Sequence, residues 1–157
     1  MSYNRKRDDE DDGSEYDPKS SHFCRACVDI SHFKLKSGKV ARADCPPDKN
    51  ELGRSTWTLL HSMAAYYPDS PTEQQKSGMY AFLKQFAEFY PCHHCSKDLK
   101  TNMVKIPPKL DSRMDLSGWL CVQHNQVNAK LHKPFFDCSK VEERWRKGWS
   151  DGSCDVE

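Results

Sequence analysis

An all-α fold, a four-helix bundle with a short fifth helix, is predicted by three features of this 157-residue chain. Apolar residues recur every three or four positions in four successive segments, the spacing of one helix face. Prolines and capping residues cut those segments to helical lengths joined by short loops. No stretch alternates apolar and polar residues as a half-buried strand would, and no segment repeats.

Residues 1 to about 22 are polar and carry the block Asp8-Asp9-Glu10-Asp11-Asp12. Too little apolar surface is available there to offset ordering entropy, so a disordered tail is expected. Cys24-Arg25-Ala26-Cys27 sits in this weakly structured third, and Lys34 to Arg42 reads as a basic linker. A coil of the seventeen residues between Cys27 and Cys45 spans roughly 20–25 Å. The expected organisation is a flexible arm over 1–43 and a folded body over 44–155.

The body opens at Cys45-Pro46-Pro47, with Asp48 as the cap of a first helix from about Lys49 to Tyr67. Gly53, Trp57, Leu60, His61 and Ala64 share one arc of it, and Leu52, Leu59 and Met63 the roughly opposite arc. A helix apolar on two arcs lies between two things: the core, and a second subunit or a flat bound molecule. Pro68 ends it. Ser70-Pro71-Thr72-Glu73 predicts the next start, with Ser70 as cap and Pro71 at the first helical position. The stripe Met79, Phe82, Leu83, Phe86, Phe89 and Tyr90 then reads as plain core.

A third helix is expected from Cys92 to about Val104, ended by Ile106-Pro107-Pro108. The fourth runs from about Ser112 to Leu131. Its apolar arc holds Leu116, Leu120, Val127 and Leu131; its other face carries Ser117, Cys121, His124, Asn125, Asn128 and His132. Uncharged hydrogen-bonding groups beside a cysteine suit a polar, largely planar ligand better than they suit solvent. Pro134-Phe135-Phe136-Asp137 breaks the chain. Ser139-Lys140-Val141-Glu142 reads as a capping box for a short helix through Arg144, Trp145 and Trp149, closed by Gly148 and Gly152.

Basic and acidic residues nearly balance, 24 against 23, which gives no sign of general nucleic-acid binding. No apolar run reaches membrane-spanning length, and Met1 to Arg7 leads into acid rather than an apolar secretory segment. Against that background eight cysteines are many, and they point to pairing, metal or redox work.

Cys92-His93-His94-Cys95 is the centre of that chemistry. A C-x-x-C pair at a helix start meets unpaired N–H groups and the positive end of the helix dipole, which favour thiolate. The arrangement suits dithiol–disulfide exchange and also zinc. Sixty-four residues separate Cys27 from Cys92, far from the fifteen to twenty of a zinc ribbon, although His93, His94 and His124 are available. No metal ligand set is assigned. Val28 and Ser96 follow the two pairs, which removes covalent haem, and no G-x-G-x-x-G fingerprint is present. Two dithiol pairs can pass electrons by exchange, but delivering them to oxygen or a one-electron carrier calls for a flavin.

Leu52-Gly53-Arg54-Ser55-Thr56-Trp57-Thr58-Leu59-Leu60-His61, Tyr90-Pro91-Cys92-x-x-Cys95, and Trp119-Leu120-Cys121-x-x-His124-Asn125-x-Val127-Asn128-x-x-Leu131-x-Lys133-Pro134 with Cys138 resemble the Erv/ALR family of FAD-linked sulfhydryl oxidases. The likeness covers about 44–155. The Cys24-x-x-Cys27 arm further resembles the long form of the family's animal member, the augmenter of liver regeneration.

The resemblance implies a helical bundle with FAD at its mouth, in a disulfide-linked homodimer. Cys95 would lie against the flavin, and Cys92 would be exposed to incoming dithiols. Cys24 and Cys27 would shuttle electrons from a substrate to Cys92 and Cys95 of the partner subunit. The implied FAD residues are Gly53, Arg54, Trp57, His61, Tyr90, Cys121, His124, Asn125, Val127, Asn128, Lys130, Lys133, Arg144 and Trp145. Cys121–Cys138 would be a structural disulfide and Cys45–Cys154 the link between subunits. The implied role is oxidation of a Mia-type import oxidoreductase, with oxygen or cytochrome c as acceptor. The implied place is the mitochondrial intermembrane space, with the cytosol as a second location. His93-His94 departs from the acidic or mixed pair expected between those cysteines, and cations there make a disulfide more oxidising.

Overall fold

The computed structural model describes residues 24–30 and 45–155. The acidic tail and the basic linker read from the sequence lie outside the described residues. Four helices make up the body: α1, Lys49–Ala65; α2, Glu73–Phe89; α3, His93–Lys105; and α4, Arg113–Lys130. A fifth helical piece follows, with 3₁₀ geometry at Cys138–Lys140 and π-helical geometry at Glu143–Lys147. No strand occurs among the described residues, and none of their helices is long and apolar enough to cross a membrane.

Side-chain caps start three of the four helices, all but α3. Asp48 Oδ1 accepts the Glu51 amide at 2.9 Å, and Ser112 Oγ accepts that of Asp115 at 3.1 Å. For α2 the cap is Thr72 rather than Ser70. Thr72 Oγ1 accepts the Gln75 amide while Gln75 Oε1 accepts that of Thr72, a reciprocal box that leaves Pro71 outside the helix. The start expected at Ser139 is also corrected. Asp137 Oδ1 accepts both the amide and the hydroxyl of Ser139, so the cap lies two residues earlier and Ser139 caps nothing.

α1 lies along α4 and α2 along α3. Between them sit Leu60, Ala64, Tyr67, Leu83, Ala87, Met103, Leu116, Trp119 and Leu120, all buried. Ala64 and Ala87 have essentially no exposure, so small residues mark the tightest points of contact. Burial of a side chain the size of Leu116 contributes about 1.5–3 kcal/mol. Two buried polar groups here are paired: Trp119 Nε1 donates to the Ile106 carbonyl at 2.8 Å, and Ser96 Oγ to that of Ala87 at 2.6 Å. The latter bond pins the start of α3 against α2.

Two stripes leave the core partway. Phe89, read as core, is 77% exposed, although Ala87 two residues earlier is buried. On α1 the first arc faces inward, whereas Leu59 of the second arc is 55% exposed and Leu52 and Met63 are half-buried.

Candidate functional site

The two halves of α4 do different work. Leu116 and Leu120 fill the core, but beyond them Gln123, His124, Val127 and Asn128 line a cavity of about 660 Å³. Gly53, Trp57, Leu60 and His61 of α1 form the facing wall. Phe86 and Tyr90 come from the end of α2, and His94, Cys95, Asp98, Leu99 and Asn102 from α3. Arg144 and Trp145 of the fifth helical piece close one side. Lys133 and Phe136 complete that wall.

That wall is braced covalently and by hydrogen bonds. Cys121 and Cys138 form a disulfide closing a loop whose ends are 17 residues apart, a constraint of about 3 kcal/mol. Asn125 Nδ2 donates to the Phe136 carbonyl and Asn125 Oδ1 accepts the Phe136 amide, both at 2.9 Å. Asn125 thus sits apart from the other expected contacts. Its amide is committed to the backbone that carries Phe136, and the residue does not line the cavity. Every other residue named above as an FAD contact does: Gly53, Arg54, Trp57, His61, Tyr90, Cys121, His124, Val127, Asn128, Lys130, Lys133, Arg144 and Trp145. His132, read on the same polar face, is exposed in a left-handed backbone conformation after α4.

Flat faces and imidazoles dominate one side. Trp57 stacks on His124 with centroids 4.1 Å apart, and His61 stacks on Trp145 at 4.6 Å. His61 Nε2 and His124 Nδ1 lie 3.1 Å apart, so one ring N–H donates to the other's lone pair. Burial, then the charges of His124 and Arg144, push His61 down to about 3; burial and Lys133 lower His124 as well. Both are neutral at physiological pH. Arg54, Lys49, Lys133 and Arg144 bring positive charge to the same cavity, and the Arg144 guanidinium lies 4.3 Å from the centre of the Trp145 ring. Lys130 is ion-paired with Asp98 at 2.6 Å.

Sequence reasoning missed Gln123. It is 1% exposed, and neither its Nε2 nor its Oε1 has a hydrogen-bond partner among the described residues. Its signal was available: Gln123 occupies the core register between Leu120 and Val127, where an apolar residue is expected. A buried amide on a cavity wall with both atoms unmatched is built for a ligand that carries a donor and an acceptor.

The cysteines occupy the opposite end. Cys92 is the N-cap of α3 and is disulfide-bonded to Cys95. Cys95 is half-buried on the cavity wall. Cys92 was expected to be exposed, yet its exposure is nil. The cover is the segment 24–30 of the same chain, where Cys24 and Cys27 form their own disulfide across a 3₁₀ turn. Arg25 Nε donates to the Pro46 carbonyl, the Lys49 amide donates to Val28 at 3.0 Å, and the Ile30 amide to Asp48 Oδ2 at 3.4 Å. Cys27 is thereby buried, with its Sγ 3.9 Å from His93 Nδ1. Cys45 and Cys154 are free thiols. Gly148, at φ 83°, would set a Cβ 2.9 Å from that of Cys154, so only glycine fits the turn that holds this cysteine.

Comparison with known proteins agrees with this arrangement. The sequence model of the Erv1 / Alr family matches residues 54–146. The chain is 51% identical over 117 residues to the mitochondrial FAD-linked sulfhydryl oxidase ERV1 of Saccharomyces cerevisiae, covering 74% of this chain and 62% of that protein. It thus spans about three-fifths of that relative's length. The crystal structure of the yeast Erv1 core superposes with a TM-score of 0.68 at 47% identity, over 74% of this chain and 98% of that one. The crystal structure of the FAD binding domain of Erv1 from Saccharomyces cerevisiae gives 0.65 at 50% identity, over 67% and 100%.

Proposed function

The chain belongs to the Erv1 / Alr family, and from that premise we propose that it is an FAD-linked sulfhydryl oxidase that makes disulfides in protein dithiols. The observation that carries this reading is Cys95, one half of a disulfide at a helix start, on the wall of a cavity sized for a cofactor. FAD fits the residues present. Trp57, His124, His61 and Trp145 offer flat faces, and Arg54, Lys133 and Arg144 offer charge for a diphosphate. Gln123 offers the unmatched donor and acceptor that a flavin edge or a ribityl hydroxyl would satisfy. When bound, FAD supplies a two-electron acceptor that can release electrons singly to oxygen or a haem protein.

The chain's own residues carry the earlier steps. A substrate dithiol reduces Cys24–Cys27, and the Cys27 thiolate attacks Cys92, releasing Cys95 as a thiolate at the cavity wall. Cys24 then attacks Cys27, re-forming its disulfide and leaving Cys92 and Cys95 reduced. Transfer within one chain is supported by the contacts of segment 24–30 with its own α1 and α3; the resemblance implies transfer to the partner subunit instead. The neutral His61–His124 pair adds no charge of its own to the far wall while the thiolate forms. The division into an arm over 1–43 and a body over 44–155, and the likeness of that arm to the long animal form, belong to the same reading.

A homodimer linked through Cys45 and Cys154 is supported by their free thiols and by exposed Leu59 and Tyr66 on α1 and its end. The yeast relative's name supports a mitochondrial place, and the intermembrane space with a Mia-type substrate and cytochrome c or oxygen as acceptor completes the proposal. The test is a purified full chain: flavin absorbance at one FAD per chain, with peroxide released when a dithiol is added. A colourless folded protein that releases none refutes it.

A further inference from the structure

We propose that Cys27, Cys92 and His94 form a zinc-type metal site that exists only in the reduced protein. The Sγ atoms of the two cysteines and a ring nitrogen of His94 lie within 4.8 Å of one another. A tetrahedral zinc with two sulfurs and a nitrogen needs ligand atoms roughly 3.5–3.8 Å apart, given metal–ligand lengths of about 2.0–2.3 Å. About 1 Å of contraction closes that gap. Side-chain rotation supplies it once the disulfides no longer hold the sulfurs. The fourth position of the tetrahedron is left to solvent or to the exposed His93, whose Nδ1 lies 3.9 Å from Cys27 Sγ.

Three further features favour this chemistry. Cys27 and Cys92 are 3% and 0% exposed, so the site is shielded from bulk water. Two thiolates and a neutral imidazole around a divalent ion sum to zero charge, the form that burial penalises least. Thiolate and imidazole together select zinc or cobalt over magnesium or calcium. The distance between the two cysteine pairs in sequence argued against zinc. The anchoring of segment 24–30 through Pro46, Asp48 and Lys49 cancels that objection by delivering Cys27 to α3.

In the oxidised chain both sulfurs are bonded, Cys27 to Cys24 and Cys92 to Cys95, and neither can act as an anionic ligand. Each disulfide takes two electrons and two protons from a dithiol to become two thiols. On metal binding Cys27 and Cys92 each release a proton to solvent, so two protons leave per ion, and Cys24 and Cys95 remain thiols. The bound ion clamps the arm to α3 and keeps Cys92 from re-pairing with Cys95. It therefore inhibits reoxidation. The inference rests on the proposed oxidase reading only in that turnover is what generates the reduced state.

The experiment uses the full chain carrying Cys45→Ser and Cys154→Ser, so that no thiol outside the cluster contributes. The protein is reduced without air by a phosphine and titrated with Co²⁺ alone. The expected result is one Co²⁺ per chain with thiolate charge-transfer and tetrahedral visible bands, displaced by Zn²⁺, with two protons released; the oxidised protein gives none. Cys27→Ser, which lies outside the four helices and leaves their packing intact, and His94→Ala should each weaken binding at least tenfold. Absent tetrahedral bands in the reduced parent, or unchanged affinity in either variant, overturns the site. Flavin is read on the same sample before reduction. Flavin without cobalt binding refutes this inference alone, and cobalt binding without flavin or peroxide release refutes the oxidase reading while leaving the site in place.

Discussion

His61 Nε2 meets His124 Nδ1 at 3.1 Å, with Trp145 stacked on the first ring and Trp57 on the second. Such a pair works as donor and acceptor as long as one ring keeps its lone pair, and burial disfavours a charge on either. Burial and neighbouring charge push His61 down to about 3 and lower His124 in the same direction. Unfolding frees imidazoles that take up protons below about 6.5, which the folded protein cannot match. This contribution is complete above about pH 6.5 and is lost progressively as pH falls towards 3. For buried His61 the loss between pH 7 and pH 5 is about 2 kcal/mol. Denaturant unfolding of flavin-free protein should give that slope, and His61→Gln should flatten it; an unchanged slope in the variant shows that other groups set it.

Gln123 gives the opposite signature in the absence and presence of ligand. Its amide is buried without partners, so Gln123→Leu removes an unmet desolvation cost and should stabilise the flavin-free protein by about 1–2 kcal/mol. The same change deletes the bonds the amide would make to a bound flavin and should weaken FAD binding about tenfold. Thermal melts and flavin titration read the two effects separately. A destabilised apoprotein, or unaltered flavin affinity, refutes the assignment.

The helical framework was legible because its signals are local. Asp48 and Ser112 cap as their side chains dictate, and the prolines at 68, 107 and 108 stop what precedes them. Errors arose where two local signals competed, as Thr72 with Ser70 and Asp137 with Ser139, and the cap with the better geometry won. The polar face of α4 pointed to a ligand, but the Asn125 amide bonds the Phe136 backbone through a loop contact that no spacing encodes. Phe89 shows the limit of a stripe, which records apolar spacing and not whether a neighbour covers each position. The burial of Cys92 was not readable at all. It depends on segment 24–30 crossing to α3, a contact between residues more than sixty positions apart.

Arg113 holds the fifth helical piece against the start of α4. Its Nε donates to Asp69 at 2.9 Å and its Nη1 to Glu142, and both Arg113 and Glu142 are largely buried. Arg113→Ala leaves Glu142 with Lys147 alone, 3.6 Å away, and should cost about 2 kcal/mol. Because Arg144 and Trp145 ride on that piece, flavin should also dissociate faster. A double-mutant cycle with Glu142→Gln isolates the pair; no coupling between the two sites would show that the contact is only geometric.

Cys45 and Cys154 are the cysteines left unpaired. If they join two subunits, Cys45→Ser abolishes the covalent dimer on non-reducing gels and leaves flavin content unchanged, since neither residue lines the cavity. A persisting covalent dimer assigns the link to another cysteine.

Transfer from the arm to the body can be trapped. In Cys24→Ser combined with Cys95→Ser, Cys27 and Cys92 remain as neighbouring thiols with no partner to resolve a bond between them. A mild oxidant removes two electrons and two protons from the pair and leaves one Cys27–Cys92 disulfide. Proximity should make this link form at least about tenfold faster than a Cys27–Cys95 link in the matching Cys24→Ser, Cys92→Ser protein. Peptide mass spectrometry locates the bond, and non-reducing gels in a Cys45→Ser background tell one chain from two. A bond within one chain is the expected outcome, because Arg25, Val28 and Ile30 anchor the segment to the chain's own Pro46, Lys49 and Asp48. A bond between chains would mean that the arm serves the partner subunit, and that its own anchors yield to those of a dimer.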